Sequence, residues 1–79
     1  MRAEDFQKHP LQLEGWLLNV TSYRIGERYL AEVEVLDSGV TIARAADEVR
    51  VKAEELVIEK ALERLARTRR LDLDLTVGG

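Results

Sequence analysis

The stretch YLAEVEVL, residues 29–36, constrains the fold of this chain more than any other feature. It consists of two interleaved sets of residues, Tyr29, Ala31, Val33 and Val35 against Leu30, Glu32, Glu34 and Leu36. Successive side chains of a β-strand point to opposite faces of its sheet, so one face here is apolar and the other carries two carboxylates. The pattern therefore predicts a strand with one face on a hydrophobic core.

Two flanking segments predict further strands. From Leu11, Trp16, Leu18 and Val20 alternate with Leu17, Asn19 and Thr21, and Tyr23 closes this segment. Gly26 then suits a short hairpin connection, and Asp37-Ser38-Gly39 suits a three-residue loop whose glycine takes a positive φ. Val40, Ile42 and Arg44 predict the third strand. Residues 11–44 are thus expected to form a meander of three antiparallel strands.

The period changes at Asp47, after which no Gly or Pro occurs before Arg69. Asp47 is a suitable N-cap and Glu48 is expected in the first turn, where the helix dipole favours an acid. A helix of about six turns is predicted from these features. At about 100° per residue, one side of it should lie on the sheet. That side carries Val57, Ile58, Ala61, Leu62 and Leu65.

The two ends of the chain complete the predicted architecture. Leu71, Leu73, Leu75 and Val77 alternate with Asp72, Asp74 and Thr76, which predicts a C-terminal strand that either returns to the sheet edge or pairs with a second chain. Residues 1–10, which end at His9-Pro10, are read as an N-terminal arm because proline disfavours helix at the residue before it. Residues 11–79 are read as a single small α+β domain with the order β-β-β-α-β.

Composition narrows the class of protein. A chain of 79 residues buries only about 60% of its unfolded surface, and without cysteine neither disulfides nor thiolate zinc sites supplement a thin core. No apolar run approaches the roughly 20 residues of a membrane span, and the N-terminus lacks a signal-peptide segment, so we expect a cytoplasmic protein with no membrane partner. The abundance of Glu, Arg, Leu and Val is also typical of a thermophile.

The predicted helix carries more apolar surface than one sheet contact uses. Val49, Ala53 and Leu56 fall on a different side from the sheet-facing residues. With the strand residues Leu71, Leu73 and Leu75, they form a candidate interface for a second copy of the chain. We therefore expect a small non-catalytic module for protein–protein interaction, a homodimer or higher homo-oligomer, with no cofactor and no metal.

A cluster of cations near the predicted helix end supports an alternative function. It comprises Lys60, Arg64, Arg67, Arg69 and Arg70. The first three share one row of a helix at i, i+4 and i+7 and could follow a phosphate backbone, which suggests an RNA- or ribosome-associated protein. The favoured interpretation is structural, because cations in a last turn stabilise its free carbonyls. Glu59 and Glu63 border the row, and the net charge is −3.

The sequence contains few groups of residues that could act together in catalysis. His9 is the one histidine and lies in the predicted arm, and Ser22 and Ser38 are read as turn serines. Glu32 and Glu34 could form a carboxylate pair, although cross-strand pairing with Arg24 or Arg44 is favoured. The chain is therefore predicted not to be an enzyme.

Residues 28–65 resemble the second half of a double-stranded RNA-binding domain, with AE opening the helix and KALERL near its end. That resemblance implies RNA contact before the AE, where this chain has DEVRVK, with only Arg50 and Lys52 as cations. The same segment is similar to the end of the ribosome hibernation factors, and a HicB-type antitoxin has a comparable order of strand and helix. The first helix of the RNA-binding domains and the initial β-α unit of the hibernation factors have no counterpart in this sequence.

Overall fold

A computed structural model of the chain describes the backbone at residues 2–13 and 15–78 and the side chains at residues 2–13 and 15–67. Four strands precede one helix: β1 (Ala3–Leu13), β2 (Trp16–Ile25), β3 (Arg28–Val35), β4 (Thr41–Asp47) and α1 (Arg50–Gly78). The strands form one antiparallel sheet in the order β1-β2-β3-β4, and α1 packs on one face of it. The fold is therefore α+β with the order β-β-β-β-α.

The predicted order β-β-β-α-β is wrong at both ends, and the N-terminal correction concerns β1. Residues 3–10 of the segment interpreted as an arm belong to an 11-residue strand that pairs with β2 and adds a fourth strand to the meander. Pro10 is compatible with this strand because β1 lies at the sheet edge, where one side of the backbone has no strand to bond. A proline that excludes helix therefore does not exclude an edge strand.

The C-terminal correction concerns residues 71–77, which were predicted as a strand and lie within α1. This helix has 29 residues, or about eight turns instead of six. Leucine is a strong helix former, and the segment has no β-branched residue before Thr76 and no glycine before Gly78. Alternation was therefore an insufficient signal for a strand, and an exchange of residues 71–77 as a strand between two chains is no longer an option.

The two predicted glycine turns are confirmed. Gly26 has φ 63° and links β2 to β3, and Gly39 has φ 72° at the connection of β3 to β4. The Gly39 N–H donates to the Val35 carbonyl oxygen at 2.8 Å, and the Val35 N–H donates to the Val40 carbonyl oxygen at 2.9 Å. A positive φ costs glycine little, so these positions fix where the strands reverse.

The start of α1 also differs from the prediction. Asp47 is the last residue of β4, and its Oδ1 accepts a hydrogen bond from the Val49 N–H at 2.9 Å, two residues later. The helix begins at Arg50, so Glu48 precedes it and does not lie in its first turn. Asp47 thus organises the turn into the helix through its side chain, as an Asx turn does.

The core lies between one stripe of α1 and one face of β2 and β3. Every member of the stripe is four residues from the next, and the facing strand residues alternate with exposed ones. The buried apolar residues are Leu18, Val20, Ala31, Val33, Ala53, Val57, Ala61 and Leu65. The predicted sheet-facing residues Val57, Ala61 and Leu65 are confirmed, whereas Ile58 and Leu62 are half-buried.

Packing on one side leaves a large part of the sheet uncovered. The helix lies on β4 and β3 and only partly on β2, so β1 extends beyond it. The opposite face of the sheet, called here the open face, is covered by none of the described elements. It carries Phe6, Lys8, Pro10, Gln12, Leu17, Asn19, Thr21, Tyr23, Leu30, Glu32, Glu34, Thr41, Arg44 and Ala46, with Leu36 next to Leu17.

Two valines of α1 test this assignment of the core. Val57→Ala should lower the free energy of unfolding by about 2 kcal/mol, since two buried methyl groups are removed and a cavity remains. Val51→Ala is the matched control, because Val51 is 61% exposed and alanine is the better helix former. Chemical denaturation of both variants measures the difference. Equal losses would contradict the described packing.

Candidate interaction surface

The strand register places one row of polar side chains across the open face. Lys8 lies opposite Thr21, Thr21 opposite Glu32, and Glu32 opposite Arg44. Directly paired residues of antiparallel strands point to the same face, and Thr21 and Glu32 alternate with the buried residues of β2 and β3. The row therefore runs across all four strands, with cations at its ends and an acid within it.

The charges of the open face are paired with one another. Lys8 Nζ lies 3.2 Å from Glu34 Oε1, and Arg44 Nε lies 3.3 Å from Glu32 Oε1. The predicted pairing of Glu32 with Arg44 is therefore confirmed, while Arg24 pairs with Glu4 at 2.7 Å. Ion pairs at a surface contribute at most about 1 kcal/mol each, so their main consequence is a neutral band across the face.

An aromatic pair occupies one end of this face. The rings of Phe6 and Tyr23 stack with their centroids 4.9 Å apart and their planes at 26°. Phe6 reaches this position through an irregularity of β1 between Glu4 and Gln7, where Asp5 has φ 56°. Bulges commonly re-aim a side chain in this way. Phe6 is nevertheless 63% exposed, an unusual position for a phenylalanine ring.

Tyr23 connects the aromatic pair to the charged band. Its hydroxyl donates a hydrogen bond to Glu32 Oε1 at 3.3 Å. Burial raises the pKa of Tyr23, and the negative charge of Glu32 and this hydrogen bond raise it further, whereas Arg44 acts in the opposite direction. The phenol is therefore held in its neutral, donating form.

Two leucines form a second apolar region at the other end of the open face. Leu17 is 51% exposed and Leu36 is 49% exposed. The Leu36 N–H donates to the Leu17 carbonyl oxygen at 3.0 Å, which holds the two residues side by side. The open face thus has apolar regions at both ends and a neutral charged band between them.

The predicted nucleic-acid residues lie elsewhere, on α1, and their structural interpretation as a helix end is wrong. The helix continues to Gly78 and has no basic residue in its last turn. Lys60 Nζ donates to the Arg44 carbonyl oxygen at 3.1 Å, and Arg67 pairs with Glu63 at 3.8 Å. Arg64 is exposed, and the side chains of Arg69 and Arg70 lie outside the described residues.

Arg50 precedes the AE, where the resemblance to RNA-binding domains implies contact with RNA. Its side chain also makes contacts within the chain. Arg50 Nη2 donates to the Asp5 carbonyl oxygen at 2.6 Å, and its guanidinium lies 4.8 Å from the centre of the Tyr29 ring. Both contacts tie the start of α1 to the sheet. Lys52 is exposed.

The structure buries one of the predicted interface residues and leaves two others partly exposed. Ala53 is fully buried in the core, so its apolar surface is used within the chain. Val49 and Leu56 remain 48% and 39% exposed. The side chains of Leu71, Leu73 and Leu75 lie outside the described residues. Neither Val49 nor Leu56 belongs to the open face. Sequence reasoning missed the open face because it interpreted residues 1–10 as an arm.

The two serines have different roles. Ser38 is a turn serine as predicted, since its Oγ accepts a hydrogen bond from the Val40 N–H at 3.3 Å. Ser22 is not, because it is fully buried in β2 and its hydroxyl donates to Glu54 Oε2 at 2.7 Å. A hydroxyl buried beneath α1 is shielded from an approaching substrate.

Comparisons with known proteins add no further information. No protein-family model, curated protein or solved structure matches the chain. Within residues 2–13 and 15–67, no group of three or more His, Cys, Asp or Glu side chains could hold a metal ion. The helix described here is also not long and apolar enough over its described residues to cross a membrane.

The Ser22–Glu54 hydrogen bond can be tested because removing one of its two partners should cost more stability than removing both. Glu54→Leu leaves the buried Ser22 hydroxyl without a partner and should lower the free energy of unfolding by about 1–3 kcal/mol. Adding Ser22→Ala to that variant removes the unsatisfied group and should restore most of the loss. Thermal and chemical denaturation measure both changes. A double variant as unstable as Glu54→Leu would contradict the assignment.

The titration of Tyr23 provides a second test. In a Tyr29→Phe background, where Tyr23 is the remaining tyrosine, Glu32→Gln should lower its pKa toward the ordinary value of 10.0. Because the pKa of Tyr23 is raised in the folded state, its neutral phenol contributes its full stabilisation of the folded state when the pH is below the ordinary pKa. That contribution is lost as the pH rises through the folded-state pKa. Glu32→Gln should therefore make the folded state lose less stability at alkaline pH. Ultraviolet absorbance of tyrosinate measures the pKa, and an unchanged value would exclude the contact with Glu32.

Proposed function

We propose that this chain is a small non-catalytic interaction module that binds a second copy of itself through the open face. The observation that carries this proposal is the Phe6–Tyr23 stack, in which the exposed ring of Phe6 lies on the half-buried Tyr23 at a sheet surface that α1 does not cover. Exposed aromatic rings surrounded by polar side chains are characteristic of protein interfaces. The cytoplasmic location and thermophilic origin inferred from composition stay predictions.

Charge supports a second copy as the occupant. The chain has a net charge of −3, so two copies repel each other in general. The charged band contains two cations and two anions, which are Lys8, Arg44, Glu32 and Glu34. The open face therefore repels a second copy less than the rest of the surface does. A neutral face with apolar ends suits another neutral face better than it suits a polyanion.

The dimensions of the open face also suit a dimer. Strands of 7 to 11 residues extend about 23–36 Å, and four strands span about 19 Å. Two such faces in contact bury on the order of 1,000 Å², the lower end of what a specific interface needs. We therefore expect a weak dimer, with a dissociation constant in roughly the micromolar range.

Association through the edge at β1 is a less suitable route. The edge strand β1 contains Lys8, Pro10 and the irregularity at Asp5. A charged side chain, a proline and a bulge are the features by which natural sheets prevent strand pairing at an edge. Packing of one open face on another needs no backbone pairing between strands, so these features do not obstruct it.

The alternative proposal, an RNA- or ribosome-associated protein, depends on the cations of α1. Lys60 and Arg67 already contact groups of their own chain, and Glu55, Glu59 and Glu63 are exposed on the same helix. A phosphate backbone would have to compete with those contacts. We therefore treat RNA binding as the outcome that would replace the first proposal.

Self-association can be tested with two equally exposed residues on opposite sides of the molecule. Phe6→Asp removes the aromatic ring and adds a charge to the open face, and it should weaken the dimer by roughly tenfold or more. Val51→Asp is the control, because Val51 is 61% exposed against 63% for Phe6 but lies on α1. Sedimentation equilibrium over a range of concentrations gives the dissociation constants, and circular dichroism verifies folding.

Two results would overturn the proposal. A chain that stays monomeric at millimolar concentration would exclude self-association, and equal weakening by both variants would exclude the open face. Fluorescence anisotropy with labelled duplex RNA at two salt concentrations tests the alternative in parallel. Salt-sensitive binding that is lost with Arg64→Glu and Arg67→Glu would favour RNA as the partner.

A further inference from the structure

The register of the open face also constrains how two copies can be arranged, an inference that rests on the proposed self-association. We infer that the copies pack open face to open face about a two-fold axis parallel to β2. Such an axis exchanges the strands on either side of β2, so β1 of each copy lies over β3 of the other. The strands remain roughly aligned, as in the common packing of one sheet on another.

This arrangement makes the charged band self-complementary. Lys8 and Glu32 lie in one row, on the two strands that flank β2 at Thr21. Rotation about β2 therefore places Lys8 of one copy opposite Glu32 of the second copy, and the symmetry creates this contact twice. Each glutamate would then lie between Arg44 of its own chain and Lys8 of the other.

The apolar ends match in the same arrangement. Tyr23 lies opposite Leu30 in the register and stacks on Phe6 on its other side. Rotation about β2 therefore brings Phe6 over Leu30 of the second copy and Tyr23 toward its own counterpart. Leu17, at the other end of β2, likewise meets its counterpart. Aromatic and leucine side chains are thus shielded from water at both ends of the interface.

Two other two-fold arrangements bring like charges together. An axis between β2 and β3 exchanges β1 with β4 and places Lys8 over Arg44 of the second copy. An axis across the strands, between the rows of Glu32 and Glu34, places Glu32 over Glu34 of the second copy. Like charges facing each other in an interface are strongly unfavourable. The axis on β2 avoids both contacts.

A charge exchange between two variants tests the inferred pair directly. Lys8→Glu and Glu32→Lys should each weaken self-association by at least about tenfold, because each creates two like-charge contacts per dimer. In a mixture, Glu at position 8 of one variant faces Lys at position 32 of the other, and the remaining Lys8 faces the remaining Glu32. The mixed dimer should form within about threefold of the native affinity. Loss of contacts within one chain cannot produce this recovery.

Ala46→Glu is the matched control, because Ala46 is an exposed residue of β4, outside the overlap, and takes no part in the charged band. It should change the dissociation constant by less than about threefold, whereas an axis between β2 and β3, which exchanges β1 with β4, would place the new charge within the interface and weaken the dimer. The chain has no cysteine, so Thr21→Cys and Thr41→Cys supply two single attachment points on the open face. A short bismaleimide should link Thr21→Cys dimers efficiently and Thr41→Cys dimers poorly.

The outcomes separate this inference from the proposed function. A native chain that dimerises, loses affinity with Phe6→Asp and shows no recovery in the charge-exchange mixture would overturn the inferred axis and leave self-association in place. Preferential cross-linking at Thr41→Cys would overturn it as well. A native chain that never dimerises would remove the proposed function and the inference together. Recovery in the mixture with cross-linking at Thr21→Cys is the expected result.

Discussion

The structure depends on the close packing of one stripe of α1 against alternate residues of β2 and β3. Ala53, Val57 and Ala61 face small and branched strand residues, so the helix and sheet pack with little side-chain bulk between them. Among the residues whose side chains are described, one helix and one sheet face supply a core of eight buried apolar residues, a small core of the size expected for a short chain. Because it is built on one side only, the other face of the sheet is necessarily exposed.

What the open face displays is decided by β1, the strand that the helix covers least. β1 supplies Phe6 to the aromatic pair and Lys8 to the charged band, and the bulge at Asp5 directs Phe6 onto Tyr23. On its other face β1 packs Leu11 and Leu13 against the core, so one strand contributes both to packing and to the open face. The self-association proposed for this chain rests on the residues that β1 adds to the open face.

The cations of α1 illustrate how a sequence pattern can be accounted for by intrachain contacts. Lys60 bonds the backbone of β4, Arg67 pairs with Glu63, and Arg50 bonds the backbone of β1. On a helix viewed alone, Lys60, Arg64 and Arg67 form a basic row, but the sheet lies close enough to bind Lys60, as it also binds Arg50 outside that row. The charges of the open face are paired in the same way across strands, which makes that face neutral.

The sequence by itself determined the elements whose signal is local: β2, β3 and β4 from their alternation, the turns at Gly26 and Gly39, and the stripe containing Val57, Ala61 and Leu65. Tertiary structure decided the rest. Residues 3–13 become a strand only because β2 offers an edge to pair with, and the alternation at 71–77 remains helical, since alternation specifies a strand only together with a pairing partner. The rows of the open face depend on register between strands, which links residues far apart in the chain and leaves no periodic signal within any one of them.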